Sequence, residues 1–338
     1  MQHSAVQSLV FHGPHDMRFE ASMLSSPPAK VSTVEVHAVG ICGSEMHAYH
    51  GHDARRKPPL VMGHEISGVC LDGPYFGQKV AVNPLITCGE CQRCLHDQSN
   101  LCDARRLIGM DHPGGMAERV LVPNECLIPV PADADSVHLA LAEPAATALH
   151  GVKLAMAGMP KCPSDMKALV LGGGSIGLLS AAFLKKFGCT EIFLAETNGM
   201  RMQVAAVSGY CEAYNPLVSH PWPDSGLDVV IDAVGVKQTR AAATRAIGAG
   251  GRIVHVGLGD GQGEFDFRKL TLKEVALLGS YTYSHQDVVD AVEAILDGSL
   301  GDLSWVESRP LSEGSLAFQD LHEERVAAPK IVLRPCGL

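Results

Sequence analysis

Four cysteines within fifteen residues place the strongest constraint on how this chain can fold. Cys88, Cys91, Cys94 and Cys102 are separated by two, two and seven residues. Such short gaps let neighbouring thiolates converge on one tetrahedral zinc ion, and an all-cysteine site keeps no open position for a substrate. The spacing therefore predicts a structural zinc ion that holds together a lobe without a core of its own. Four unrelated thiols or two disulfides are the alternatives, and both fit poorly with a cytoplasmic chain that carries no export signal.

Length and composition bound the remaining possibilities. A chain of 338 residues predicts two domains, because one core rarely grows past about 250–300 residues. The net charge of −10 argues against a nucleic-acid surface. Residues 1–7 lack the basic and apolar pattern of a leader, and no apolar run reaches the roughly 18 residues of a membrane span. Together with eleven cysteines and no export signal, these features predict a cytoplasmic protein without membrane association.

A glycine-rich turn characterises the second half of the chain. Residues 167–171 have the pattern of a buried strand, and a helical run covers 178–187. Between them lies a G-x-G-x-x-G turn, in which Gly172 permits a tight turn, Gly174 lets a pyrophosphate approach the backbone and Gly177 lets the helix pack on the strand. Strands and helices then alternate to residue 280, which predicts a Rossmann-type doubly wound parallel sheet.

An acidic residue closes the predicted second strand of this sheet. Glu196 lies 19 residues after Gly177, close to the distance of about 20 expected for a carboxylate that binds the ribose hydroxyls. A carboxylate there would repel the 2′-phosphate of NADP, so NAD is favoured. Arg201 is near enough to contact the adenosine side and to weaken that discrimination.

The segment from Gly40 to Glu65 contains a second group of metal donors. Cys42, His64 and Glu65 are of types that zinc accepts, and Ser44 and His47 lie between them. Taken alone, the segment equally fits an ordinary turn with a buried cysteine and a core histidine. Many short strands with glycine and proline punctuation predict a compact β-barrel-like unit for about the first 140 residues. The loop at 50–60 either overhangs the metal or forms plain surface.

One further carboxylate stands in an apolar context. Residues 136–143 are predicted to form a helix, and Pro144 is predicted to open the next helix at 145–157. Glu143 lies at the junction, where burial would require a partner such as a cation, with surface exposure as the alternative.

In combination, these motifs resemble the zinc-dependent medium-chain alcohol dehydrogenases of the polyol (sorbitol) and threonine dehydrogenase branch. The resemblance implies an α/β protein with a GroES-like β-rich catalytic domain and a Rossmann domain. The implied boundaries are 1–145 for the catalytic domain with its zinc lobe at 88–102, 146–282 for the Rossmann domain, and 283–338 for a C-terminal return to the first domain. The segments that carry the resemblance are Gly40–Ser44 with His47, Gly63–Glu65, the four-cysteine lobe, Leu141–Pro144, the glycine-rich turn and Gly279–Tyr281.

The resemblance also implies residue roles. Cys42 and His64 would ligate a catalytic zinc ion, and Glu65 and Glu143 would compete for the remaining positions. Ser44 and His47 would relay the proton of the alcohol. The four lobe cysteines would hold a structural zinc ion. NAD would be contacted by Gly172, Gly174, Ile176, Gly177, Glu196, Arg201, Val256, Gly257, Leu258, Ser280 and Tyr281.

The expected activity is the NAD-dependent oxidation of a secondary alcohol or polyol to the ketone, with two zinc ions per chain. One alternative is a threonine-type dehydrogenase of amino alcohols, whose substrate carboxylate would need a cation such as Arg55 or Arg56. Another is a zinc- and NAD-binding sensor without catalysis. The resemblance further implies a homo-oligomer, with a tetramer favoured over a dimer. Two positions depart from the family pattern, because Glu45 stands where aspartate is usual and Thr282 where polyol dehydrogenases carry arginine.

Overall fold

The structure, a computed structural model, describes residues 4–219 and 226–335. Internal contacts divide the chain into two compact units. The first unit combines Met1–Glu143, Ser284–Asp297 and Val306–Leu338, and the second combines Pro144–Tyr283 and Gly298–Trp305. The domain boundaries at 145/146 and 282/283 remain predictions. From Ser284 onward, the chain belongs to the first unit with one exception. The segment 298–305 is the exception, because Leu300 is buried and accepts a 2.6 Å hydrogen bond from the Tyr210 hydroxyl of the second unit.

The N-terminal part of the first unit is rich in β-structure. Its described strands are β1 (Ser4–Gly13), β2 (Asp16–Leu24), β3 (Val31–Gly40), β4 (Leu60–Val61), β5 (Glu65–Cys70), β6 (Lys79–Val82), β7 (Leu85–Ile86), β8 (Arg106–Leu107), β9 (Arg119–Pro123) and β10 (Leu127–Pro129). Its described helices are short, namely α1 (Gly43–Tyr49), α2 (Gln92–Leu95) and α3 (Ser136–Leu139). The predicted strand at 31–39 and the predicted helical turn at 44–49 are both present as β3 and α1.

The second unit is built on one parallel sheet. Its strands are β11 (Lys167–Leu171), β12 (Glu191–Ala195), β13 (Glu212–Tyr214), β14 (Leu227–Asp232), β15 (Ile247–His255) and β16 (Ala276–Gly279). Its helices are α4 (Ala142–Met156, which starts at the unit boundary), α5 (Ser175–Lys186), α6 (Gly199–Val207), α7 (Lys237–Ala246) and α8 (Phe267–Leu272). The strand order β13-β12-β11-β14-β15-β16 is that of a Rossmann sheet, so the predicted fold class is confirmed.

The C-terminal part returns to the first unit. It contains α9 (His285–Leu296), β17 (Val306–Pro310), α10 (Gly314–His322) and β18 (Lys330–Arg334). Strand β18 pairs antiparallel with β3, with Val332 opposite Gly40. Strand β3 also pairs with β5 and β9, and it therefore lies at the centre of a seven-stranded sheet. Its inward residues, such as Val34, Val36 and Val39, are fully buried. Among the described helices, none is both long and apolar enough to cross a membrane.

The helix predicted for 136–143 is divided in the structure. Helix α3 ends at Leu139, and α4 begins at Ala142. Pro144 has no N–H to donate to the carbonyl of Ala140, and its ring would clash with that carbonyl in a continuous helix. A new start at Ala142 places the proline in a first turn, where it is tolerated. As a result, Glu143 belongs to the first turn of α4.

Candidate metal centres and cofactor site

Three metal donors converge where β3 ends and β5 begins. Cys42 is the N-cap of α1, and His64 and Glu65 stand at the start of β5. Pairing of the two strands places Gly40 opposite Glu65. The sulfur of Cys42, a ring nitrogen of His64 and a carboxylate oxygen of Glu65 all lie within 4.8 Å of one another. One thiolate, one imidazole and one carboxylate fit a zinc ion that keeps an open position for a substrate.

Glu45 orients two of these donors, a role that the sequence did not reveal. Its carboxylate is fully buried and accepts hydrogen bonds from the backbone N–H groups of Cys42 (2.8 Å) and Gly63 (2.9 Å). It also lies 2.9 Å from Nδ1 of His64, which leaves Nε2 as the nitrogen available to a metal. Burial alone would raise the pKa of Glu45, but the charge and the hydrogen bond of His64 lower that pKa below its usual value. Burial alone would lower the pKa of His64, but Glu45 and Cys42 raise that pKa above its usual value.

Lys330 is the second residue that sequence reasoning missed. Its buried ammonium lies 2.6 and 2.8 Å from the two carboxylate oxygens of Glu65 and donates a 2.8 Å hydrogen bond to the carbonyl of Ile41. Burial would depress the pKa of Lys330, but the charges of Glu65 and Cys42 raise it above its usual value. Gly40 is required beside this pair, because a Cβ there would lie 1.8 Å from Oε2 of Glu65. No signal in the neighbouring sequence marks Lys330, because its partner Glu65 is 265 positions away.

The two candidate carboxylates, those of Glu65 and Glu143, differ in whether they lie near the other metal donors. Glu143 is buried in the first turn of α4. The group of donors within 4.8 Å found in the described part of the chain contains Glu65 and not Glu143. The geometry of the protein alone therefore favours Glu65 as the direct ligand.

The two residues predicted to relay protons share one face of α1. Ser44 and His47 are three positions apart, which is the spacing of neighbours on a helix surface. Burial, followed by the charge of His52, lowers the pKa of His47. The Ser44 hydroxyl accepts a 3.0 Å hydrogen bond from the buried guanidinium of Arg56, which is 2.6 Å from Asp53. The loop at 50–60 is therefore attached to α1 through Arg56.

The four lobe cysteines are arranged as a zinc site requires. Sulfur–sulfur distances are 3.5 Å for Cys91–Cys94, 3.6 Å for Cys88–Cys102 and 3.9 Å for Cys88–Cys94. Four thiolates bound tetrahedrally to zinc at about 2.3 Å lie about 3.8 Å apart. Backbone N–H groups of Glu90 and Cys91 lower the pKa of Cys88 to about 7, which favours its thiolate. All ten described cysteines are free, so the disulfide alternative finds no support among them.

The glycine-rich turn lies at the carboxyl end of β11 and is followed directly by α5. Gly172 adopts a φ of 102°, and a Cβ on Gly177 would lie 1.8 Å from the carbonyl oxygen of Gly172. Both positions therefore exclude a side chain. The position of a Cβ on Gly174, the N-cap of α5, has no atom within 4 Å, and Ile176 is half-buried in the first turn. An open helix N-terminus of this kind suits a pyrophosphate.

The other predicted cofactor residues follow the carboxyl ends of neighbouring strands, the edge at which doubly wound sheets bind ligands. Glu196 follows β12, is buried, and accepts hydrogen bonds from the N–H groups of Gly173 and Asn198 (both 2.8 Å). Nε of Arg201 is 3.7 Å from Oε2 of Glu196. The Oγ of Ser280 is buried without a hydrogen-bond partner among the described residues, as a cofactor contact would require. The remaining predicted contacts follow β15 and β16, namely Val256, Gly257, Leu258 and Tyr281.

Comparison with known families and proteins agrees with this geometry. Residues 29–132 match the alcohol dehydrogenase GroES-like domain, and residues 175–297 match the zinc-binding dehydrogenase domain. The chain is 33% identical over 311 residues to 2-dehydro-3-deoxy-L-galactonate 5-dehydrogenase of Pseudoalteromonas atlantica, which covers 88% of this chain and 89% of that protein. The chain belongs to the zinc-dependent medium-chain alcohol dehydrogenases. Its relatives place it in the polyol dehydrogenase branch of that family.

Two further proteins extend the comparison. L-idonate 5-dehydrogenase (NAD(P)(+)) of Escherichia coli is 29% identical over 306 residues, which is 86% of each chain. A solved structure from Sinorhizobium meliloti, described as a zinc-binding dehydrogenase bound to NADP, superposes with a TM-score of 0.86 at 28% identity and covers 98% of this chain and 100% of its own. This medium-chain dehydrogenase is accordingly a zinc-dependent oxidoreductase that converts secondary alcohols to ketones with NAD(P). The threonine-type and sensor alternatives are not favoured.

Proposed function

We propose that Cys42, His64 and Glu65 hold the catalytic zinc ion of this dehydrogenase and that Ser44 and His47 conduct the substrate proton. The convergence of the three donor atoms within 4.8 Å carries the proposal. When bound, zinc acts as a Lewis acid on the substrate oxygen, and the nicotinamide accepts a hydride. Ser44 would accept the hydroxyl proton, and His47 would pass it towards solvent. The four lobe cysteines would hold the structural zinc ion.

The loop at 50–60 favours an acidic substrate. It carries Arg55, Arg56 and Lys57 against a single acid, Asp53, in a chain with a net charge of −10. Arg55 is exposed, while Arg56 contacts Ser44. Arginine binds carboxylates in a bidentate manner. Two of the relatives above are named for sugar acids, so we infer that the substrate is a polyhydroxy acid oxidised at a secondary hydroxyl.

A panel of matched substrates tests this assignment. Turnover of NAD(P), followed by NAD(P)H absorbance, would be compared for aldonates, for the alditols of the same configuration and for threonine, with and without a chelator. We expect aldonates to be preferred, with activity lost in the chelator. Equal rates on aldonates and alditols would contradict the inference of an acidic substrate but leave the dehydrogenase activity intact. Binding of NAD without turnover of any alcohol would favour the sensor.

The preference for NAD over NADP is expected to depend on Glu196. A Glu196→Ala change removes the buried carboxylate that would repel a 2′-phosphate and leaves the Arg201 guanidinium, so the ratio of kcat/KM for NAD to that for NADP should fall by about tenfold or more, or roughly 1.4 kcal/mol. Glu191→Ala is the matched control, because Glu191 opens the same strand, is exposed and pairs with Lys167. An unchanged cofactor ratio in Glu196→Ala would show that this acid does not select the cofactor.

We also propose that the protein is a homo-oligomer, with a tetramer favoured over a dimer. Strand β16 is an edge of the parallel sheet, and Leu277 on it is 36% exposed. Unpaired backbone groups next to an apolar side chain suit pairing with a second copy. Leu277→Lys is expected to weaken association by about tenfold or more, seen as a smaller mass in sedimentation or light scattering. The control is Leu296→Lys at the end of α9, where the exposed fraction is 39%. Unchanged mass in Leu277→Lys would exclude this edge as the interface.

We place the protein in the cytoplasm. Its ten described cysteines are all free thiols, which a reducing compartment maintains. Recovery of the protein in an exported fraction of its host would contradict this location.

A further inference from the structure

Histidine side chains that belong to neither group of metal donors converge on one surface of the first unit. His50 and His322 have ring centroids 4.9 Å apart, and His15 is 4.9 Å from His322 and 6.0 Å from His50. His52 lies 6.1 Å from His50. We call His15, His50 and His322 the imidazole cluster. No role in the proposed reaction has been assigned to it.

The nitrogen geometry within the cluster is that of a chelating pair. Nε2 of His50 is 3.0 Å from Nδ1 of His322. Two imidazole nitrogens bound to one ion at about 2.0–2.1 Å lie about 3 to 3.4 Å apart. Without an ion, the same distance is a hydrogen bond between neutral rings. The ring that donates this hydrogen bond can move its proton to its other nitrogen. Both facing nitrogens then offer a lone pair to an ion, and neither ring loses a proton.

Three separate segments hold these rings in place. His50 caps the end of α1 through a 2.9 Å hydrogen bond from its N–H to Met46. His322 is the last residue of α10, and α10 packs against α1 through the rings of Phe318 and Tyr49, 5.5 Å apart. His15 belongs to the β1–β2 turn, and its N–H donates a 2.9 Å hydrogen bond to the carbonyl of Tyr49. The cluster therefore does not depend on flexible chain.

The backbone of His15 is unusual. Its φ of 59° lies in the left-handed region, which residues with a Cβ adopt infrequently. Glycine or asparagine would adopt this conformation more readily. His15 and His322 are both exposed, so an ion from solvent can reach them.

The surroundings favour the neutral, metal-binding form of the His50 ring. The pKa of His50 is lowered by burial and then by the charges of other imidazoles, those of His322, His15, His52 and His47. The carboxylates next to the cluster in sequence already have cationic partners, because Asp16 binds Arg18, Asp53 binds Arg55 and Glu323 pairs with Arg325. A site made of neutral imidazoles selects borderline transition-metal ions over calcium or magnesium.

We propose that His50, His322 and His15 form a surface site for a borderline divalent metal ion such as Zn²⁺ or Ni²⁺, distinct from the two zinc centres. His50 and His322 supply the chelating pair, the His15 ring would have to turn towards them to supply a third nitrogen, and water completes the coordination. The site joins the end of α1, whose N-cap is Cys42, to α10. The inference does not rest on the proposed reaction.

Metal titration of the whole protein tests the site. Protein shown by elemental analysis to hold two zinc ions per chain would be titrated with Ni²⁺ by calorimetry, with visible absorption reporting nitrogen ligands. We expect one further ion per chain in the native sequence. His50→Gln and His322→Gln should each weaken Ni²⁺ binding by more than about tenfold, since each removes a direct ligand. His15→Asn, which suits the positive φ, should weaken binding while preserving thermal stability.

His37→Gln is the matched control, because His37 is a partly exposed histidine on β3 outside the cluster. The His37→Gln variant should bind Ni²⁺ as tightly as the native protein. Failure of the native protein to take up a third ion would overturn the proposal. So would undiminished Ni²⁺ binding in a His50→Gln/His322→Gln variant. Catalytic activity enters none of these readouts, so they remain decisive whatever the substrate is.

Discussion

Replacing Cys42 with serine is expected to reduce turnover by at least about 10³-fold while NAD binding survives. The change removes the only thiolate from the proposed catalytic zinc site, where a hydroxyl is a far weaker ligand. A metal supplies several kcal/mol of transition-state stabilisation, and each 1.4 kcal/mol corresponds to a factor of ten. The proposed cofactor residues belong to the second unit and do not include Cys42. Steady-state rates would measure turnover, elemental analysis would measure zinc content, and NADH fluorescence titration would measure cofactor binding.

Cys162→Ser is the matched control for this experiment. Cys162 is an exposed free thiol that belongs to neither metal group, so its replacement should leave rate, zinc content and NADH affinity unchanged. The Cys42 variant should retain one zinc ion per chain, held by the lobe cysteines. Loss of NADH binding together with turnover would contradict the separation of the metal and cofactor sites. Full zinc content with full activity would show that Cys42 is not a ligand.

Motifs whose parts are close in sequence could be predicted from the sequence. The four lobe cysteines span fifteen residues, and their geometry follows from two tight turns and a short loop. The glycine-rich turn is similar, because the constraints at Gly172 and Gly177 arise within a single strand–turn–helix segment. Glu196 was located by the same local logic, since it follows directly after the second strand of the sheet.

Contacts over long separations could not be predicted in this way. Glu65 and Lys330 are 265 positions apart, and only the pairing of β18 with β3 brings them together. Nothing local distinguishes Lys330 from a lysine that opens an exposed strand. Glu45 was visible as a departure from the family pattern, but its three contacts depend on the fold of Gly63 and His64 against α1. The division of the helix at 136–143 had a local cause in Pro144, whose effect on the preceding turn was underestimated.

The buried pair of Lys330 and Glu65 leads to the second large expected effect. Lys330→Met keeps the length of the side chain but leaves the Glu65 carboxylate buried without its cation. Breaking a buried pair from one side costs about 3–5 kcal/mol. The free energy of unfolding of protein that keeps its lobe zinc but lacks the catalytic zinc should therefore fall by about that amount in a urea titration. Lys79→Met is the control, because Lys79 donates one 2.7 Å hydrogen bond to the carbonyl of Ala134, and its loss should cost only about 1 kcal/mol.

Two further measurements separate the charge effect from loss of packing and connect it to the metal. Adding Glu65→Gln to Lys330→Met removes the unpaired charge, so the double variant should regain much of the lost stability. Zinc should also stabilise Lys330→Met more than the native sequence, because the ion would replace the missing cation beside Glu65. If the double variant is no more stable than Lys330→Met, the loss comes from packing. If zinc stabilises Lys330→Met and the native protein equally, Glu65 is not a direct ligand, and Glu143 becomes the carboxylate to test.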